Sequence, residues 1–262
     1  VNDRDLLRSL TVEFLGPFAL TFMGVGAIIS TQGQDIVAIA LAHGLAIGLM
    51  IVAAGHISGG HYNPAITIAM WVTKRIELNR AIAYIVAQLA GALAAAGALT
   101  LCFRDIERNA VNMGVPAIGP NLSAGNALVM EIILSFIFIF IIFGAAVDTR
   151  TPKTLAGLCI GLVITMDIFA GGAVSGAAMN PSRWFGVAIV QQDFSDFWIW
   201  WVGPIAGAVA AAVVYSDWLL GTTTATTVRT RIVEDGDDQE QETPVRATPA
   251  QAQRSRRSQR RH

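Results

Sequence analysis

Asn63-Pro64-Ala65 and Asn180-Pro181-Ser182 sit in two related segments, residues 57–65 and 174–182, each embedded in strongly apolar sequence. Asn-Pro is a helix start: Asn caps the first turn with its side-chain oxygen, and Pro at the first helical position lacks an N–H that would be unpaired there anyway. The chemistry such a pair offers is neither nucleophilic nor acid–base. A helix N-terminus carries free N–H donors and roughly half a positive elementary charge, and an Asn carboxamide adds two more donors. Arg183, three residues after Asn180, adds a fixed cation with several donors. Such a set hydrogen-bonds neutral polar molecules and repels cations.

The elements that must hold these residues are membrane-spanning. Hydrophobic residues make up 53% of the 262, charged residues 14%, and the mean hydropathy is +0.54, whereas a soluble domain carries about a quarter charged residues. Apolar stretches near residues 9–30, 35–55, 81–102, 125–147, 154–171 and 197–220 predict six crossings. Between the second and third, and between the fifth and sixth, lie shorter apolar pieces starting at an Asn-Pro, residues 64–73 and 181–190. Both are too short to span, so they read as half-helices ending inside the membrane. Irregular backbone at that depth must be buried in protein or line a watery cavity, and this points to a pore.

The two halves repeat. Glu13 and Glu131 stand at nearly equal distances ahead of Asn63 and Asn180, and Gln88-Leu-Ala-Gly-Ala parallels Pro204-Ile-Ala-Gly-Ala downstream. Repeat one covers about residues 8–103 and repeat two about residues 125–220. Each unit has three spans and a half-helix. Three is odd, so the second copy is inverted and the two half-helix N-termini meet near the midplane. Their facing dipoles form a positive barrier, and the NH2 groups of Asn63 and Asn180 are expected to point into the lumen, turning each passing water. Glu13 and Glu131 are carboxyl groups inside spans and require partners. Backbone N–H groups of the re-entrant loops are the natural ones, which makes both residues structural braces.

Basic residues gather on one side of a six-span arrangement: Arg4, Arg8, Lys74, Arg75, Arg80, Arg150, Lys153, Arg229 and Arg231. The other side holds only Arg104 and Arg108, balanced by Asp105 and Glu107. The positive-inside rule therefore places both termini in the cytoplasm, with the plasma membrane as the expected location. Asp3, Arg4, Asp5 and Arg8 lead straight into a full-length span without a small-residue cleavage pattern, so the first helix is expected to be retained. Residues 221–262 turn Thr-rich, then acidic, then Arg-rich, the composition of a disordered cytoplasmic tail. Cys102 and Cys159 fit no metal spacing and are expected to be packing residues away from the lumen. With no nucleophile constellation or phosphate loop either, no enzyme activity, cofactor, metal or nucleic-acid partner is expected.

On the doubled Asn-Pro motif and the Arg after its second copy, the chain resembles the aquaporin, or major intrinsic protein, family over about residues 8–220. The resemblance implies an all-α channel domain over residues 1–220: six tilted transmembrane helices plus two re-entrant half-helices in an inverted repeat, associating as a homotetramer. Ser182 departs from the family's usual Ala and is expected to alter the pore lining slightly. Carried over by motif spacing, the outer selectivity filter is His43, Ile168, Ala177 and Arg183. That set is similar to filters of plant vacuolar-membrane members and of ammonia-permeable animal channels. His61, two residues before Asn63, is expected to support the vestibule on the cytoplasmic side.

Other positions carry divided signals. Trp184 stands where glycerol-conducting members carry Asp, and it either narrows the outer vestibule or faces lipid. Trp200 and Trp201 match the aromatic pair of water-selective members. His56 belongs to a run resembling a plant subgroup that carries small solutes and metalloids, and it either contributes to that function or stabilises its loop. Asp167, a carboxyl group deep in span five, either has a role in the pore or sits near the outer end of that span with a local hydrogen-bond partner. The function implied is passive conduction of water with ammonia or similar neutral solutes, excluding protons and ions. Alternatives are a glycerol, hydrogen peroxide or metalloid facilitator, a structural member with a vestigial pore, and, from a different class, an ion-coupled secondary transporter, which would want titratable groups where the half-helices meet.

Overall fold

The structure is a computed structural model, and it describes residues 3–220; the proposed tail, residues 221–262, lies outside the described residues. Six helices are long and apolar enough to cross a membrane: α1 (Asp3–Thr31), α2 (Ile36–Ser58), α4 (Leu78–Cys102), α6 (Ala124–Ile142), α7 (Ala156–Ser175) and α9 (Ile199–Val213), the last three with short flanking turns. The half-helices are α3 (Pro64–Val72) and α8 (Pro181–Gln191). A short surface helix, α5 (Asp105–Ala110), follows α4. It has no counterpart in the hydropathy pattern, being short and mostly polar.

Local chemistry explains where the re-entrant segments begin. A helix with apolar side chains all round has no reason to stop at mid-membrane unless its backbone is broken. Gly59 (φ 96°) and Gly176 (φ 76°) end α2 and α7 in the left-handed region, each N–H bonding back to the carbonyl four residues earlier. Only a residue without Cβ adopts that conformation without strain. The chain can then turn inward and start again at the Asn-Pro cap.

Packing follows the repeat. In repeat one α1 packs on α4, in repeat two α6 packs on α9, and α2 crosses α7 between them. These crossings are closer than any side chain allows: a Cβ on Gly91 would lie 2.0 Å from the Phe14 carbonyl oxygen, and one on Gly207 2.2 Å from that of Ile132. Small residues make such approaches possible where lipid offers no hydrophobic drive for association. The half-helices swap sides. α3 packs chiefly on α9 and α8 on α4, so each rests on the last span of the other repeat.

On the face that carries the N-terminus, α6 and α9 both finish in a π turn, residues 143–147 and 214–219. Asp148 ties the two ends together. It accepts from Tyr215 Oη at 3.2 Å and from Arg150 Nη2 at 2.6 Å, while Arg150 also reaches the Leu219 carbonyl at 3.3 Å. The Lys153 ammonium donates to the Asp148 carbonyl. The Arg150 side chain first, then its backbone N–H, holds the Asp148 carboxyl well below the usual carboxylate range, against the opposing effect of burial.

A depressed native value means that this clasp stabilises fully above the unfolded carboxylate pKa of about 3.9 and is lost as the pH falls below it. Asp148→Asn should therefore melt below the wild type at pH 7, with the gap closing progressively below about pH 4. Thermal unfolding in detergent across pH checks this, and a pH-independent gap would move the stabilisation elsewhere.

Candidate functional site

The two Asn-Pro starts meet head to head. Asn63 Oδ1 accepts from the Ala65 N–H at 2.8 Å, and Asn180 Oδ1 accepts from the Ser182 N–H at 3.0 Å, so each caps its own half-helix. Their amide nitrogens reach across: Asn63 Nδ2 donates to the Met179 carbonyl at 2.8 Å and Asn180 Nδ2 to the Tyr62 carbonyl at 3.0 Å. Tyr62 and Met179 have φ of 51° and 50°, each the residue just before its Asn. The sequence reading gave both NH2 groups to the lumen. One hydrogen of each is instead taken by the opposite loop, because a buried carbonyl there needs a donor, and one remains per Asn.

Beneath the loops lie the two buried carboxylates. Glu13 accepts from Ser58 Oγ (2.6 Å), the His61 N–H (2.9 Å), the Tyr62 N–H (2.8 Å) and Gln88 Nε2 (2.7 Å). Glu131 accepts from Ser175 Oγ (2.7 Å) and from the N–H groups of Ala178 and Met179 (both 2.8 Å). The fourth partner is missing in repeat two, where Pro204 stands at the position of Gln88. The carbonyls of Ser58 and Ser175 are in turn taken by Tyr84 Oη (2.9 Å) and Trp200 Nε1 (3.0 Å). Ser58, Ser175 and Tyr84 carry no role in the sequence reading, and Trp200 enters it only as half of an aromatic pair, although the four sit at matching points of the repeat.

A cavity of about 610 Å³ runs along the inner faces of the bundle. On α7 and the turn before it, the lining extends from Lys153 through Ile160 and Ile164 to Ile168, roughly 20 Å of chain at a helical rise. Apolar side chains such as Leu20, Ile47, Phe138 and Ile142 form much of the wall, and Asn63 and Asn180 both contribute to it. His43, Ile168, Ala177 and Arg183 also line it, each only 4% exposed. Arg183 Nη1 donates to the Gly114 carbonyl at 3.0 Å. The loop bearing Gly114 is anchored by Asn112 Nδ2 donating to Asp193 Oδ2 at 2.7 Å. Nothing in the sequence signals the Gly114 contact, since it joins the first turn of α8 to a connecting segment 69 residues earlier in the chain. His43 Nδ1 lies 2.8 Å from the Ile39 carbonyl, which can only accept, so Nδ1 carries the proton; Nε2 is buried and has no hydrogen-bond partner among the described residues.

Several expectations need correction. Ser182 does not line the cavity: it is fully buried, and its Oγ donates to Asn180 Oδ1 at 2.7 Å, reinforcing the cap. Trp184 neither narrows the cavity nor faces lipid. It is 3% exposed and stacks on Trp200 with ring centroids 6.4 Å apart, beside Phe194 and Phe197, which shut it off from both. Asp167 is buried, and its Oδ2 has no hydrogen-bond partner among the described residues. Cys102 is exposed rather than packed, since α4 ends there, and Cys159 is half-buried; neither lines the cavity. His61 lines it with Nδ1 3.2 Å from Thr67 Oγ1 and its ring edge-on to Tyr84, and His56 is exposed at the mouth nearer the N-terminus.

The family model for the major intrinsic proteins matches residues 1–215. The chain belongs to the major intrinsic protein family. It is 42% identical to aquaporin-5 of Homo sapiens over 214 residues, 80% of either chain, and 38% identical to aquaporin NIP1-1 of Zea mays over 214 residues, 80% of this chain and 74% of that one. Among solved structures it is similar to the aquaglyceroporin from Plasmodium falciparum, with a TM-score of 0.75 at 26% identity, covering 82% of this chain and 97% of that chain. The fold is the aquaporin fold, and the molecule is an integral membrane channel.

In this aquaporin-type channel the hydrogen-bond partners of the Glu131 carboxylate among the described residues, Ser175 Oγ and the N–H groups of Ala178 and Met179, are all donors. Glu131→Gln would turn an NH2 group toward one of them, so the variant should lose about 1–3 kcal/mol of stability and lower its flux. Thermal unfolding and water permeability of the purified variant test this; wild-type values for both would mean that the loop is held by other contacts.

Proposed function

We propose that the chain conducts water passively, together with ammonia and comparable small neutral solutes, and excludes protons and ions. The observation that carries this reading is the reciprocal pair Asn63 to Met179 and Asn180 to Tyr62, which sets two half-helix N-termini face to face on one continuous cavity. Two positive dipole ends meeting there disfavour any cation, and a water crossing the pair accepts from the free Asn hydrogens and is turned, breaking a proton-conducting file. Asn63 and Asn180 are neutral. An ion-coupled transporter would place titratable groups at that point.

His43, Ile168, Ala177 and Arg183 form the selectivity filter in this reading. Arg183 repels cations and donates to a passing solute, while Ile168 and Ala177 leave an apolar, relatively open wall. Asn63-Pro64-Ala65 and Asn180-Pro181-Ser182 build the central constriction, with Glu13, Glu131 and His61 as its supports. The basic face, with Arg8, Lys74, Arg75, Arg80, Arg150 and Lys153, faces the cytoplasm of a plasma membrane, and four copies assemble with one pore each.

Stopped-flow light scattering on proteoliposomes should show osmotic water flux without ionic current, and a proton conductance comparable to the water flux would sink the mechanism. Arg183→Ala should admit urea or glycerol. His43→Phe combined with Ile168→His should suppress ammonia-driven alkalinisation much more than water flux. An equal fall in both would remove the pair from the filter, and glycerol flux in the wild type as fast as water would favour the solute-facilitator alternative.

A further inference from the structure

Gly24 of α1 does not line the cavity, yet the His43 ring lies directly against it. A Cβ at position 24 would fall 2.3 Å from Cδ2 and from Nε2 of His43 and 2.5 Å from Cε1, where real Cβ contacts essentially never come under 3.0 Å. The imidazole occupies the space that any side chain at that position would fill. We propose that Gly24 is a positioning residue of the filter: by leaving the α1 surface bare, it lets the His43 ring sit back from the lumen and so sets the width of the opening. This rests on the reading of His43 as a filter residue.

The ring has little other freedom. Nδ1 is tied to the Ile39 carbonyl one turn earlier on α2, and swinging away would leave a buried N–H unpaired. Behind the ring stands α1; before it lies the cavity that His43 lines. A methyl group on residue 24 therefore drives the imidazole forward, into the lumen.

The repeat supports the same assignment. In the register that pairs Glu13 with Glu131, Leu20 corresponds to Phe138 and Gly24 to Ile142. Leu20, Phe138 and Ile142 all line the cavity themselves. Gly24 alone of the four gives up its place on the wall, and His43 stands in for it. At this register position repeat two keeps a lining side chain, Ile142, whereas repeat one has none and the ring of His43 occupies the space instead.

The test is a double-variant cycle on full-length protein in proteoliposomes, read by osmotic water permeability. Gly24→Ala should lower it roughly tenfold, a scale expected for overpacking a tight site. The Gly24→Ala, His43→Ala double variant should have the permeability of His43→Ala alone, because the added methyl then meets no ring. Wild-type permeability in Gly24→Ala, or an equal fractional loss in both backgrounds, overturns the proposal. Should Gly24→Ala fail to fold, a folded double variant with the permeability of His43→Ala still supports it, and a double variant that also fails overturns it. Unchanged solute selectivity in His43→Ala is a separate outcome: it would defeat the filter reading while leaving the coupling of the two residues measurable.

Discussion

A chain that stops being helical in the middle of an apolar slab leaves N–H and C=O groups that lipid cannot pair, each a loss of several kcal/mol. Here that problem arises twice, and a carboxylate answers it each time. Glu13 and Glu131 each accept from two successive backbone N–H groups and a serine of the re-entrant loop. Removing either would leave two buried backbone N–H groups and a serine hydroxyl without the acceptor they share. The left-handed residues before each Asn, the position of the caps and the shape of the cavity between them all presuppose these two acceptors.

The charge of the carboxylates also frames the electrostatics. Each lies behind a loop, on the far side from the lumen, while the half-helix N-termini and Arg183 present positive potential to it. The lumen thus meets donors and cationic ends, and the compensating negative charge stays inside the wall. This division requires the helices to come very close, which is why Gly91 and Gly207 sit against the backbone of neighbouring spans.

Much of this was legible in the residues. Hydropathy placed the six spans, the Asn-Pro pairs placed the half-helices, and the odd number of spans per repeat required the inversion. What hydropathy could not place was polar or local: the α5 helix, the π turns at residues 143–147 and 214–219, and the Asp148 clasp that joins them. Ser182 was read by size, as a lining residue, but its hydroxyl has a partner two residues away and the cap claims it. Read along its own helix, Trp184 has an ambiguous direction, because the pattern of α8 alone does not reveal that Phe194 and Phe197 of the following turn and Trp200 of α9 fold back beside it. Ser58 and Ser175, by contrast, stood at equal distances before Asn63 and Asn180 and were open to discovery by aligning the halves.

The exchange of half-helices between repeats has a consequence for biosynthesis. Asn63 donates to a carbonyl 116 residues farther along the chain, and α3 rests chiefly on α9, the last span described. At about 5–20 residues per second, that acceptor leaves the ribosome on the order of ten seconds after the asparagine itself. Through that interval the first re-entrant loop has its own carboxylate and its own cap but not its lid of neighbours. The nascent first half must wait in the translocon or at the bilayer edge as an incomplete object, and the pore closes into shape only when the final helix arrives.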